Sequence, residues 1–191
     1  MRRQASETRQ RILDGAYQQC YASGFARASV DAIAARAGIT KRTLYQHFDS
    51  KDSLLDAVLA QQHALMIARI EHWLDPAAGS PAAMVEGLFV GLARWVERAG
   101  WRGSGFSRAA LEFADLPGHP ARRAARRHKG AVEASLATAL GSLGHPAAET
   151  TARQLMLLIE GAMTLALIHA DPAYVGAAAE AAGRLVGQSP A

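Results

Sequence analysis

A chain of 191 residues, half of them apolar and with a formal net charge of +4, has interior enough for one domain or two small ones. Alanine is abundant and β-branched runs of alternating polarity are absent, which excludes a sheet-rich fold and points to an all-α protein. Residues 2–51 carry nine Lys/Arg against four Asp/Glu, whereas 52–191 carry twelve against thirteen. The cationic excess therefore sits near the N-terminus, as contact with a polyanion favours. A single cysteine, Cys20, excludes a disulfide framework within the chain. The start Met1-Arg-Arg-Gln lacks the apolar segment of a signal peptide. The longest apolar run, Leu155 to Ala170, is short for a bilayer and contains Glu160. The expected setting is soluble and cytoplasmic, with no membrane partner.

Arg2 and Arg3 stand ahead of the first helix and leave two readings open, an arm reaching a minor groove or a terminus without a role. Cys20, within that helix near Ala16 and Phe25, reads as a small buried hydrophobe. The segment Ser29 to Asp52 is the most informative. Ser29 is placed to N-cap a helix, because its hydroxyl accepts a bond from an orphan backbone N–H. Val30, Ile33, Ala34 and Ala37 give that helix one apolar face. Gly38 stops it, since glycine reaches positive φ without a Cβ penalty. Thr40 caps a second helix whose inward face is Ile39, Leu44 and Phe48. Its outward face is Lys41, Arg42, Thr43, Tyr45, Gln46 and His47. A helix that buries one narrow stripe and exposes cations, amides, hydroxyls and a phenol is built to touch something polar. As the second element of a helix-turn-helix, it is placed for the DNA major groove.

These residues resemble the DNA-binding module of TetR-family transcriptional regulators, over about Thr8 to Leu59. Arg11-Ile-Leu-Asp14 with Ala16 resembles the opening of the family's first helix, and Gly24-Phe25 its end. Val30-Asp-x-Ile-Ala-x-x-Ala-Gly38 resembles the second helix and turn, and Leu44-Tyr45-x-His47-Phe48 with Ser50-Lys51 the family's most recognisable run. The resemblance implies a homodimer on a double-stranded DNA operator. It implies phosphate contacts from Tyr45 and His47, a backbone contact from Lys51, and bases facing Lys41 to Gln46. The capping residues Ser29 and Thr40 belong to the same candidate set. Position 42 departs from the family pattern, which often has a small residue there. Arg42 leaves two readings open, bidentate pairing with guanine O6 and N7 or a phosphate contact.

Ser50 caps a fourth helix ending near Asp75-Pro76, with Leu54, Leu55, Val58, Leu59 and Ile70 at three- and four-residue spacing. Pro76 to Pro81 is a turn-rich break. A fifth helix is expected over about Pro81 to Ala99, and Gly100-Trp-Arg-Gly-Ser-Gly105 interrupts it. Phe106 to Leu116 is a short sixth helix stopped by Pro117-Gly118, and Pro120 to Leu143 a seventh. Two more, about 147–170 and 172–187, meet at Asp171-Pro172. The first of these is apolar nearly all round between Gln154 and His169. With Leu155, Leu158, Ala162, Ala166, Ala178 and Ala182, the pair reads as half of a four-helix homodimer interface. About nine helices result. The division is a helix-turn-helix head over 1–50 and a helical effector-binding and dimerisation domain over 51–191.

The family resemblance further implies a small-molecule effector held among helices four to eight. The candidates are Met66, Trp73, Phe89, Leu92, Trp95, Phe106, Phe113 and Met163, with His63, Glu112 and His128 as polar anchors. The same residues suit an ordinary core. Glu112, flanked by apolar neighbours, requires a partner or a ligand if it is buried. Arg122, Arg123, Arg126, Arg127 and Lys129 form a stripe on one helix face, either solvated or holding an anion. The seven histidines are too scattered for a metal array, so neither a metal nor a cofactor is expected. A phosphate loop, a nucleophile elbow and HExxH are all missing, so the chain is not read as an enzyme. Repression relieved by the effector is the expected sense. The competing reading is a helical ligand-binding protein whose head has lost DNA binding.

Overall fold

The structure, a computed structural model, describes residues 2–187, the side chains of Arg2, Arg3 and Pro76 excepted. Among the described residues it is entirely helical. The elements are α1 (Arg2–Ser23), α2 (Val30–Ala37), α3 (Lys41–His47), α4 (Lys51–Trp73), a 3-10 turn (Pro76–Ala78), α5 (Pro81–Val96), α6 (Gly105–Glu112), α7 (Pro120–Ser142), α8 (Ala148–His169) and α9 (Ala173–Gly187). Local chemistry accounts for most boundaries. Ser80 and Ser104 accept the N–H groups of Ala83 and Ser107 and cap α5 and α6. Ser50 and Ser53 exchange bonds at 3.0 and 3.1 Å and open α4. Asp75 Oδ1 accepts the Ala77 N–H and turns the expected break into the 3-10 turn.

Three expectations are corrected. The helix begins at Arg2, so Arg2 and Arg3 stand in its first turn and not ahead of it; what their side chains reach lies outside the described residues. α6 stops at Glu112, four residues before the expected Leu116, because the chain tightens there: Ala114 N–H bonds Leu111 O and Leu116 N–H bonds Phe113 O. α5 stops at Val96, where Arg98 N–H bonds Trp95 O and Trp101 N–H bonds Arg98 O.

Packing divides the chain into two compact units. One holds the residues up to Leu65 together with Ser104–His128; the other holds Met66–Gly103 together with the residues from Lys129 onward. In the first, Ile12, Cys20, Phe25, Ile33, Leu44, Leu54 and Leu55 are fully buried. In the second, α9 packs against both α5 and α8 around Leu136, Leu140 and Leu155. α4 and α7 each pass from one unit to the next, so this division follows packing. The division at 50/51 expresses expected roles. The residues expected to meet a second copy take part in the packing of the second unit. Leu155, Ala162, Ala166, Ala178 and Ala182 are buried within the second unit's own core, and Leu158 packs against it. The apolar groups left outside on α8 are Leu157 (71% exposed), Leu165, Leu167 and Ile168 (66%). At 22 residues α8 is also long and apolar enough, by length and composition, to cross a membrane, contrary to the sequence reading.

Cys20 is fully buried. Burial pushes its thiol up to about 11 from 9.0; Glu112 adds to the rise, while Lys51 and Arg108 oppose it. The unfolded chain ionises first, so this contribution to stability is complete below pH 9 and is lost as pH rises toward 11. Unfolding free energy in urea should therefore fall by roughly 2–3 kcal/mol more over that window in the parent than in Cys20→Ala. Equal alkaline slopes would refute it.

Candidate nucleic-acid interface

The helix-turn-helix is built by short-range bonds. Ser29 Oγ accepts the Ala32 N–H at 3.1 Å and opens α2. Gly38 closes it in the left-handed region (φ 65°, ψ 40°), with Gly38 N–H on Ala35 O and Ile39 N–H on Ala34 O. Thr40 Oγ1 accepts the Thr43 N–H at 3.1 Å and opens α3. From α1, Arg11 Nη2 donates to both Ala37 O (2.9 Å) and Gly38 O (3.0 Å). A cation on the last carbonyls of α2 is favoured by the helix dipole and holds the turn. Gly15 lets α1 and α2 touch: a Cβ there would lie 3.0 Å from the Ala37 backbone. This brace escaped sequence reasoning because the contact spans 26 residues; only the position of Arg11 in the family's opening pattern signalled it.

On α3, Leu44 is fully buried and Phe48 follows it inward, under the guanidinium of Arg9 at 5.1 Å. Ile39 is only half-buried. Lys41, Arg42, Tyr45 and Gln46 are exposed, and Thr43 and His47 half-buried. Lys41 pairs with Asp31 at 3.1 Å, a surface pair that gives way easily to another anion. The hydroxyls of Ser29, Thr40 and Thr43 are engaged in capping, with Thr40 and Thr43 2.9 Å apart. Lys51 Nζ donates to Ala26 O at 2.7 Å and so tethers the α1–α2 turn to the start of α4.

Over the whole described chain, one all-helical trace with this braced helix-turn-helix at its front matches known proteins at two scales. The family described as bacterial regulatory proteins, tetR family, matches residues 12–58. A TetR-family transcriptional regulator from Streptomyces coelicolor superimposes with a TM-score of 0.83 at 27% identity, over 96% of this chain and 97% of that one. Residues 12–58 form a TetR-family domain, and the chain as a whole has the fold of that regulator. Among curated TetR-type relatives, the transcriptional regulator SrpR of Pseudomonas putida is 48% identical over 63 residues, 32% of this chain and 30% of that protein. UidR of Escherichia coli is 36% identical over 75 residues, 39% of this chain and 38% of that protein. The chain thus aligns with about a third of the length of these relatives, the head alone. Relatives and fold neighbours are transcriptional regulators and not enzymes.

The residues expected around an effector fall into separate groups. In the first unit, His63 Nδ1 lies 3.1 Å from His128 Nδ1, and the Phe106 ring stacks on His128 at 3.8 Å. Phe113 stacks instead on His119, which accepts the Ala121 N–H at Nδ1 and directs Nε2 to Asp52 at 3.3 Å. Glu112 has protein partners: Oε2 accepts the Ala26 N–H at 2.8 Å and Oε1 accepts Arg108 Nε at 2.7 Å. Arg108 Nη1 continues to Tyr21 O at 2.8 Å. In the second unit, Phe89, Leu92 and Met163 are core; Trp73 and Trp95 neighbour each other, ring centroids 6.5 Å apart; and Met66 receives Arg69 Nη1 at 3.5 Å. The basic stripe is similarly divided. Arg122 and Arg123 donate to Ala114 O and Gly118 O, Lys129 pairs with Glu160, and Arg126 and Arg127 are exposed.

Proposed function

We propose that this chain is a DNA-binding transcriptional regulator, a repressor that holds a palindromic operator as a homodimer and leaves it when a small effector binds. The observation that carries the reading is the exposed polar face of α3, with Arg42, Tyr45 and Gln46 outermost on a turn braced by Arg11. Residues 1–50 then form the DNA head, and the remainder serves dimerisation and effector binding. Leu157, Gly161, Leu165 and Ile168 recur every three or four residues on α8 as a stripe, and a second copy of the chain would cover it. That occupant suits a cytoplasmic regulator better than a bilayer does, because Glu160 of the same helix is ion-paired with Lys129. An effector that favours a DNA-incompetent spacing of two heads lowers operator affinity by its differential affinity for the two states.

Selection of bound fragments from a random DNA library, at low and at moderate salt, tests this. The expected product is one inverted repeat with half-sites about one turn, roughly 34–36 Å, or a multiple apart. Recovery of only unspecific, salt-labile DNA would overturn the reading and favour a helical ligand-binding protein with an idle head.

A further inference from the structure

A cleft of about 460 Å³ lies between the end of α4 and the outer face of α5, wholly within the second unit. Its walls carry Arg69, His72 and Trp73 from α4, Arg94 and Trp95 from α5, and Arg98 from the turn that follows it. Asp75 is the one acid in the wall, and its Oδ1 accepts the Ala77 N–H. Other carboxylates of these helices turn elsewhere: Glu71 lines a groove beside α7, and Glu86 one beside α9. Three arginines and a single acid thus line one cleft. Cations gathered on the wall of a cleft raise the local concentration of anions.

The cleft also has an aromatic side, formed by Trp73 and Trp95. Trp73, Trp95 and Trp101 form a chain, with ring centroids 6.5 and 6.3 Å apart at angles of 50° and 79°. Trp73 and Trp95 line the cleft, and Trp101 touches Trp95 from outside that lining. Gly91 makes the wall possible: a Cβ at that position would meet the Trp73 ring at 2.5 Å, so the indole lies directly on the α5 backbone. A Cβ at Gly87, one turn earlier, would sit 3.4 Å from the Trp73 carbonyl oxygen, an ordinary contact. Glycine within a helix costs roughly 0.5–1 kcal/mol relative to alanine, and at position 91 this close approach requires it.

The geometry points to a binding site for an aromatic carboxylate. Guanidinium groups match the two oxygens of a carboxylate, indole faces match a planar ring, and the volume lies in the range of small-molecule sites. The proposal concerns binding alone and does not rest on the DNA reading. Calorimetric titration of the full chain at low salt, with 2-naphthoate as probe, tests it. One equivalent binds, and the indole N–H resonances of Trp73 and Trp95 shift. Arg94→Ala/Arg98→Ala weakens binding by about tenfold or more. Both arginines are exposed, so the variant folds, and its unfolding curve verifies this. Neutral 2-naphthamide and inorganic phosphate bind at least about tenfold more weakly, since each supplies only half of the match. Failure of 2-naphthoate to bind at millimolar concentration overturns the proposal. So does equal affinity for the amide or for phosphate, or unchanged affinity in the double variant.

Discussion

Between 50 and 200 mM salt, operator affinity should fall by about 10³–10⁵, the loss expected for roughly 6–10 phosphate contacts. The head supplies such contacts at little cost. Lys41 is held only by an exposed pair with Asp31, and Tyr45 and Gln46 are exposed beside it. Within that total, Arg42→Ala should cost about 1–3 kcal/mol and relax preference at one base pair of each half-site. The structure favours base reading for Arg42 because it is the second residue of α3, and the N-terminal residues of a recognition helix are those that reach base edges. Titrating Arg42→Ala against operators varied one position at a time decides the matter. A uniform loss across all variants, with the salt slope reduced by about one, would make Arg42 a phosphate contact instead.

Glu112→Ala should lower the unfolding free energy by roughly 1.5–3 kcal/mol, the range for hydrogen bonds to a charged group. Its carboxylate, 21% exposed, joins α6 to the α1–α2 turn across 86 residues of chain through the Ala26 N–H and Arg108. Gly24, at φ 104°, brings the turn so close that a Cβ would sit 3.1 Å from Glu112 Oε2. Lys51 holds the carbonyl of the same Ala26, so the turn just ahead of α2 is gripped at both its N–H and its C=O. Without Glu112, Arg108 keeps only Tyr21 O and the Ala26 N–H turns to solvent. Glu112→Gln retains an acceptor for Ala26 and should recover part of the loss. Urea unfolding of the three proteins measures both effects. A change below about 0.5 kcal/mol in Glu112→Ala would show that the turn holds without it.

The head was legible because its instructions are local. A cap acts over three residues, so Ser29, Thr40 and Ser50 mark helix starts wherever they fall. Gly38 marks a stop because only its own φ is at issue. The alternation of buried Leu44 with exposed Arg42 and Tyr45 follows from helix periodicity alone. Position 112 shows where such reasoning stops. That Glu112 needed a partner could be read from its apolar neighbours, and Arg108 stood at the favourable four-residue spacing. The Ala26 N–H, however, comes from a distant turn, and no local rule selects it.

By itself the sequence determined the all-helical class, nearly every helix, the TetR-type head and the polar face of α3. Caps, periodicity and the family's motif operate within a few residues, and tertiary packing leaves them standing. Only the tertiary structure decided which side of α8 turns inward. A helix apolar on every side has no preferred face until neighbours pack against one; α9 and the surrounding core enclosed Leu155, Ala162 and Ala166 while leaving Leu157, Leu165 and Ile168 outside. Only the structure, likewise, set Arg69 of α4, Arg94 of α5 and Arg98 just beyond α5 around one cleft. Charges on different helices acquire a common field when packing fixes their distance, and sequence separation carries no information about that distance.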